Sequence, residues 1–253
     1  MEKSNKTISD YTHVKPYNQT EPKTSQLSRM FDTISPQYDK FNDIMSWGFA
    51  RFWRKKSLKQ LAQFQPKKIL DVAAGTGDMS INAVKLIGAE EIIGIDISEK
   101  MLNIAFEKTK KAGLNTKIRY EIQDVSNLPY QSESFDAVTI AFGIRNFEKL
   151  KESLEEIHRV LKNKSELLIV EMNEPEKKWL YKGYQLYTKI FVKFTSKLLS
   201  PDKRAYDYLT ASMNAFASGK NLIEVLNFCG FETILYKKFT FGVCSMYLMR
   251  KKI

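Results

Sequence analysis

From Pro66 onward the chain alternates short apolar runs with amphipathic stretches. Lys68–Ala73 (KILDVA) reads as a buried strand, and Met79–Leu86 as the helix after it. Glu91–Asp96 (EIIGID) is a second strand, and Ser98 is placed to cap a helix running to about Lys111. Ile118–Gln123 and Phe135–Ala141 (FDAVTIA) predict a third and a fourth strand. Between Lys149 and Leu161, the residues Leu150, Leu154, Ile157 and Leu161 fall on one helical stripe. Glu166–Met172 (ELLIVEM) is a fifth strand, and Thr233–Phe239 and Val243–Met249 are spaced to pair antiparallel around Phe241-Gly242. This alternation predicts an α/β fold with a parallel sheet and helices on both faces. Upstream, Met30–Leu61 is helical and aromatic, punctuated at Ser35-Pro36 and Trp47-Gly48. Residues 1–29 are polar and read as a tail. The expectation is one domain over 30–253, carrying helical caps at 30–61 and 177–218.

The segment Asp71-Val-Ala-Ala-Gly75-Thr76-Gly77-Asp78 lies where the first strand turns into a helix. Glycines there let the backbone approach a ligand, and the helix N-terminus offers free N–H groups. Asp96 ends the next strand, where a carboxylate can accept both hydroxyls of a ribose, and Asp124 follows the third strand on the same edge. Ligands of open parallel sheets sit beyond the carboxyl ends of the strands. Asp71, Asp96, Asp124 and the glycine loop are therefore expected around one crevice. An acidic first strand end suits a cationic ligand with an ammonium and a sulfonium, which describes S-adenosylmethionine. A dinucleotide is the other ligand of this outline, but Ser80 stands at the sixth position, where its G-x-G-x-x-G/A fingerprint wants glycine or alanine.

Three stretches, ILDVAAGTGDMS, GIDISEKML and LPYQSESFDAVTIAFGIRNFEK, resemble the UbiE/menaquinone methyltransferase family. The resemblance continues in MFDTISPQYDKFNDIMSWGFARFWRKK, SPDKRAYDYLTASM and FTFGVCSMYLMRKK, and so covers about Met30 to Lys252. It implies a class I, Rossmann-like methyltransferase fold with a seven-stranded sheet whose last strand is inserted antiparallel. It implies C-methylation of demethylmenaquinol with S-adenosylmethionine as methyl donor and no metal. The related reaction on a polyprenyl methoxy-benzoquinol of ubiquinone synthesis is the alternative within the family. By the same resemblance Thr76 and the glycines wrap the methionine moiety and Asp96 holds the ribose. Asp124 and Val125 meet the adenine, with Ala141 at its floor. Ile97 and Met101 pack on the adenine faces or serve as ordinary helix–sheet packing. The chain departs from the family at Lys162–Ser165, where a Pro-Gly-Gly turn is usual, at Glu171–Pro175, and around Phe216–Gly219.

Carbon methylation needs an electron-rich ring, and a hydroquinone becomes nucleophilic at carbon when one hydroxyl loses its proton. Arg145 and Asn146, just past the fourth strand, are the expected partners of the two quinol oxygens. No histidine suits the role of base: His13 lies in the tail and His158 on the Lys149 helix. The candidates are Tyr38, Asp39, Asn42, Tyr206 and Tyr208, or a water held by Arg145. Ala141-Phe142-Gly143-Ile144 stands where amino-methylating enzymes of nucleic-acid bases need an Asn/Asp-Pro-Pro-aromatic tetrad, so nucleic acid is not the expected substrate.

Composition adds a surface. Lys and Arg number 40 against 29 Asp and Glu, a net charge of +11. Within 177–198 six lysines accompany an apolar stripe of Leu180, Tyr184, Tyr187, Phe191, Phe194 and Leu198. This is expected either as a lid helix or as a helix resting on an anionic membrane. No run of 18 apolar residues and no secretory signal occurs. The two cysteines, Cys229 and Cys244, exclude a disulfide framework. The expected setting is cytoplasmic, peripheral on the inner face of the membrane, with a homodimer compatible and not required. An NAD-dependent oxidoreductase and a basic RNA-binding module are the readings from other classes, and no RNA-module signature supports the latter.

Overall fold

The computed structural model describes residues 13–173 and 202–253, together with Gly183. The basic aromatic stretch expected over 177–198 lies outside the described residues, Gly183 apart, as does the side chain of Tyr206. Strands β1 (Lys68–Val72), β2 (Glu91–Asp96), β3 (Ile118–Ile122), β4 (Phe135–Ala141) and β5 (Leu161–Met172) pair in parallel. Strands β6 (Phe231–Phe239) and β7 (Cys244–Lys251) complete a seven-stranded sheet in the order β3-β2-β1-β4-β5-β7-β6. β7 is antiparallel to both of its neighbours.

The described helices are α1 (Lys23–Ser46), α2 (Phe49–Leu61), α3 (Asp78–Ile87), α4 (Glu99–Lys111), α5 (Leu150–Val160), α6 (Lys203–Ala215) and α7 (Lys220–Phe228). Successive strand residues face opposite sides, so Leu70 and Val72 join Ile157 and Leu222 on one face of the sheet. Ile69 and Leu168 join Trp53, Leu58 and Ala83 on the other. The runs are apolar on both faces because helices cover both. A third cluster packs Leu27, Met30, Ile34 and Phe41 of α1 onto Met101 of α4 and Ala205 and Tyr208 of α6. None of the described helices is long and apolar enough to cross a membrane.

Two expectations change in the cap. The helix starts at Lys23, inside the expected tail, and Tyr17 and Asn18 ahead of it donate their backbone N–H groups to the buried Gln26 side chain. It also runs unbroken through Pro36, where a break was expected. A proline inside a helix costs about 3 kcal/mol and frees the carbonyl four residues back. Burial of Leu27, Met30, Ile34 and Phe41 contributes about 1.5–3 kcal/mol each and outweighs that cost. The Ser35 hydroxyl donates to the freed Asp32 carbonyl at 3.0 Å. The break comes at Trp47-Gly48, both at positive φ, with the Gly48 N–H returning to the Asp43 carbonyl. At Lys162–Ser165, where a Pro-Gly-Gly turn is usual in the family, β5 has already begun; Lys164 takes φ 60°, and the β4–β5 register shifts there.

Candidate active site

β1 delivers the chain into the glycine loop at the carboxyl edge of the sheet, and α3 leads away from it. Gly77 sits at φ 81°, where a Cβ would run into the Tyr120 hydroxyl and the Ala105 methyl. Gly75 sits at φ 54° with open space where its Cβ would be, and it lines a cavity of about 700 Å³. Its N–H donates to Asp96 at 2.9 Å, and the Ser98 N–H donates to the other Asp96 oxygen at 3.0 Å. Each Asp96 oxygen keeps lone pairs for a further donor. Burial pushes the Asp96 carboxyl upward, while the backbone donors of Ser98, Gly75 and Ile97 work against that shift.

Of the residues expected to bind cofactor, Gly75, Asp96, Ile97, Met101, Asp124, Val125 and Ala141 line this cavity. Asp71, Thr76 and Gly77 are not among its lining residues. Asp71 is 1% exposed and lies beneath the loop, accepting from Ser80 at 2.5 Å and Thr139 at 2.8 Å. Burial raises its pKa to about 6 against those two hydrogen bonds. The expected triad of acids around one crevice is therefore a pair, Asp96 and Asp124. Ser80, the residue that spoils a dinucleotide fingerprint, is one of the hydroxyls that hold Asp71. The Thr76 hydroxyl donates to Asp39 of α1 at 2.6 Å, and Lys108 of α4 bridges Asp39 and Asp78. This polar hub fastens the cap helix to the loop.

The residues present fit a nucleoside, whereas Asp71, expected to meet the cationic end of the ligand, is held away from the cavity by Ser80 and Thr139. The cradle has an open backbone at Gly75, a fixed carboxylate at Asp96 for vicinal hydroxyls, and apolar faces at Ile97 and Met101. Phe31, Gln123, Phe147 and Glu148 also line it and were not singled out from the sequence. Glu148 accepts from the backbone N–H groups of Lys23 and Thr24, and so holds the start of α1 over this cavity. A carboxylate at a helix N-terminus is a recognisable signal, but only once the fold brings position 148 to residue 23.

A second cavity of about 1320 Å³ adjoins the first, and Tyr38 and Phe142 line both. Its walls are mostly apolar, with Phe41, Met45, Met172, Leu209 and Met213 among them. Arg145 lines this second cavity, whereas Asn146 lines the first. Arg145 is 5% exposed, and its Nη1 donates to the Phe142 carbonyl at 2.7 Å and to Glu171 at 2.6 Å. Burial opposes the Arg145 charge, but Glu171, Tyr38 and Tyr208 together raise its pKa, so the guanidinium stays protonated. Arg145 Nε and Glu171 Oε2 have no hydrogen-bond partner among the described residues. Burial raises the Tyr38 pKa, and Asn42 is its hydrogen-bond partner. The Tyr208 hydroxyl donates to Asn146 Oδ1 at 3.0 Å, which leaves the Asn146 amide N–H₂ for another acceptor. Asp39 is taken up by the hub, and His158 packs edge-on against Phe231 away from both cavities.

The chain matches the ubiE/COQ5 methyltransferase family over residues 19–251. A demethylmenaquinone methyltransferase of Bacteroides fragilis is 41% identical, covering 94% of this chain and 97% of its own. A ubiquinone/menaquinone biosynthesis C-methyltransferase UbiE of Blochmanniella pennsylvanica is 33% identical, over 99% and 100%. Among solved structures, a SAM-dependent methyltransferase of Thermotoga maritima, a possible histamine N-methyltransferase, superposes with TM-score 0.57 at 18% identity, over 88% of this chain and 99% of that one. That likeness carries the class I fold, with its inserted antiparallel strand. The identity to the Bacteroides enzyme extends across cap and sheet alike, and with the family pattern it supports one conclusion: this chain belongs to the ubiE/COQ5 methyltransferase family.

Proposed function

We propose that the protein transfers a methyl group from S-adenosylmethionine to a ring carbon of demethylmenaquinol. The observation that carries this reading is the pair of adjoining cavities. One is lined by the residues a nucleoside needs, the other is mostly apolar and includes a buried arginine, and Tyr38 and Phe142 belong to both. S-adenosylmethionine, when bound, supplies a methyl group on a sulfonium sulfur. Asp96 takes the ribose hydroxyls, Asp124 and Val125 the adenine edge, and Ile97 and Met101 its faces.

On the acceptor side, Arg145 holds a quinol oxygen and stabilises its anion as a fixed charge. It is not itself the base, because its neighbours keep it protonated. The proton leaves through a water held against Arg145. Asn146, turned by Tyr208, faces the nucleoside cavity rather than the second quinol oxygen, and Tyr38 orients the ring at the junction. Holding the ring carbon in line with the sulfonium is the larger part of the work. The apolar cavity takes the isoprenoid chain, which brings the protein to an anionic membrane surface.

The test is transfer of label from S-adenosylmethionine to short-chain demethylmenaquinone with and without a reductant, with a benzoquinone analogue alongside. The expected result is label in the naphthoquinol only under reduction. Label in the benzoquinol alone would move the reaction to ubiquinone synthesis. No transfer, despite measurable S-adenosylmethionine binding, would overturn the assignment of the acceptor.

A further inference from the structure

Helix α2 is apolar on two sides. Ala50, Trp53, Leu58 and Leu61 are buried against the sheet. Its outer line reads Phe49, Phe52, Lys56 and Lys59, at spacings of three and four. Phe49 and Phe52 are 46% and 47% exposed, and Trp47, just before the helix, is 73% exposed. Phe241 is 79% exposed in the turn fastened to α2 by the hydrogen bond from Trp53 Nε1 to Thr240 at 2.9 Å. Thr240 and Phe241 both take positive φ, 45° and 56°, a strained conformation for side-chain-bearing residues that holds the ring outward. Scattered exposed apolar residues are ordinary, but a cluster of aromatics at a cavity mouth is not. Trp47 and Phe49 are exposed and also line the apolar cavity, which marks this edge as its mouth.

The charge carried by α2 itself is of one sign. FARFWRKKSLKQL contains no acidic residue. Arg51 and Arg54 are spent on Asp43 and Asp78, whereas Lys55, Lys56 and Lys59 are exposed, with the Lys56 ammonium 5.7 Å from the Phe52 ring. Aromatic rings beside outward lysines match the boundary between hydrocarbon and anionic headgroups.

We propose that this edge, the start of α2 with the 240–242 turn, docks on an anionic lipid bilayer, so that a hydrocarbon chain passes from the bilayer into the apolar cavity without crossing water. The inference rests on reading that cavity as the quinol site, and it depends on nothing in 177–198. The test is co-sedimentation of the full chain with phosphatidylcholine vesicles, with and without phosphatidylglycerol. The variants are Phe52→Ser with Phe241→Ser, and Lys55→Gln with Lys56→Gln. None of these four residues is among the lining of either cavity. The wild type is expected to bind the anionic vesicles, more weakly as salt rises, and each pair to lose about tenfold or more in partitioning. Turnover of a water-soluble short-chain quinol is expected to stay within about twofold in every variant, as for substitutions of exposed residues. Unchanged binding in both pairs, or binding indifferent to phosphatidylglycerol, would overturn the docking edge. The soluble assay is scored separately: wild-type inactivity there sinks the proposed reaction, while loss of vesicle binding in the variants still upholds the edge.

Discussion

A guanidinium packed against a carboxylate and a carbonyl acts as a fixed cation, and Arg145 is held in that way by Glu171 and Phe142. Replacing Arg145 with Ala should lower kcat by about 10²–10³-fold, the usual loss for a preorganised charge donor, with the KM for S-adenosylmethionine little changed. Glu171→Gln leaves a buried cation without its countercharge and should cost about 3–5 kcal/mol in urea denaturation. The double variant should be less destabilised than the sum of the two, since the pair is coupled. Asp71 makes a different prediction. Its folded pKa of about 6 lies above its ordinary 3.8, so the folded state binds the proton more tightly than the unfolded chain. Stability is therefore lost as pH rises from about 4 to about 6, by roughly 3 kcal/mol in total, and is level above that. Asp71→Asn should abolish that slope. An unchanged difference curve between wild type and variant across that pH window would refute the assignment.

At the scale of elements, the cap helix α1 is the most informative. It contributes Phe31 and Tyr38 to the site, and it is stitched to the sheet by Asp32, Asp39 and the Glu148 cap at its start. Pro36 sits in its middle, exposed, with the Asp32 carbonyl rescued by Ser35. Pro36→Ala should stabilise the protein by about 1–3 kcal/mol, because it restores the missing backbone donor. Ser35→Ala alone should cost about 1 kcal/mol, and much less once Pro36 has become Ala. Thermal denaturation of the four proteins closes this cycle, and simple additivity would show that the hydroxyl does not serve that carbonyl. The basic, aromatic α2 packs on the sheet beside α3 and carries the outward aromatics described above.

For the molecule as a whole, the alternation of strands and helices was legible because each strand is a short apolar run bounded by turn residues. The carboxyl-edge position of the site followed from it. The insertion of β7 was not visible in periodicity and came through family resemblance. Asp71 and Asp96 look alike in sequence, each an acid at or near a strand end. Whether such a carboxylate faces the cavity or the core depends on partners from other segments, here Ser80 and Thr139 for Asp71 and Gly75 and Ser98 for Asp96. Glu171 was read only as part of a departure from the family pattern, because its link to Arg145 crosses 26 residues of chain. The helix through Pro36 was missed because tertiary burial overrides a local breaker. The wall shared by the two cavities has a further meaning. Its residues named here, Tyr38 and Phe142, offer no amine or thiol on which a methyl group would rest between donor and acceptor. In the proposed reaction, a group passed across that wall would move in a single displacement. Both substrates are then in place before either product forms, and a methyl made chiral with hydrogen isotopes leaves in the inverted configuration.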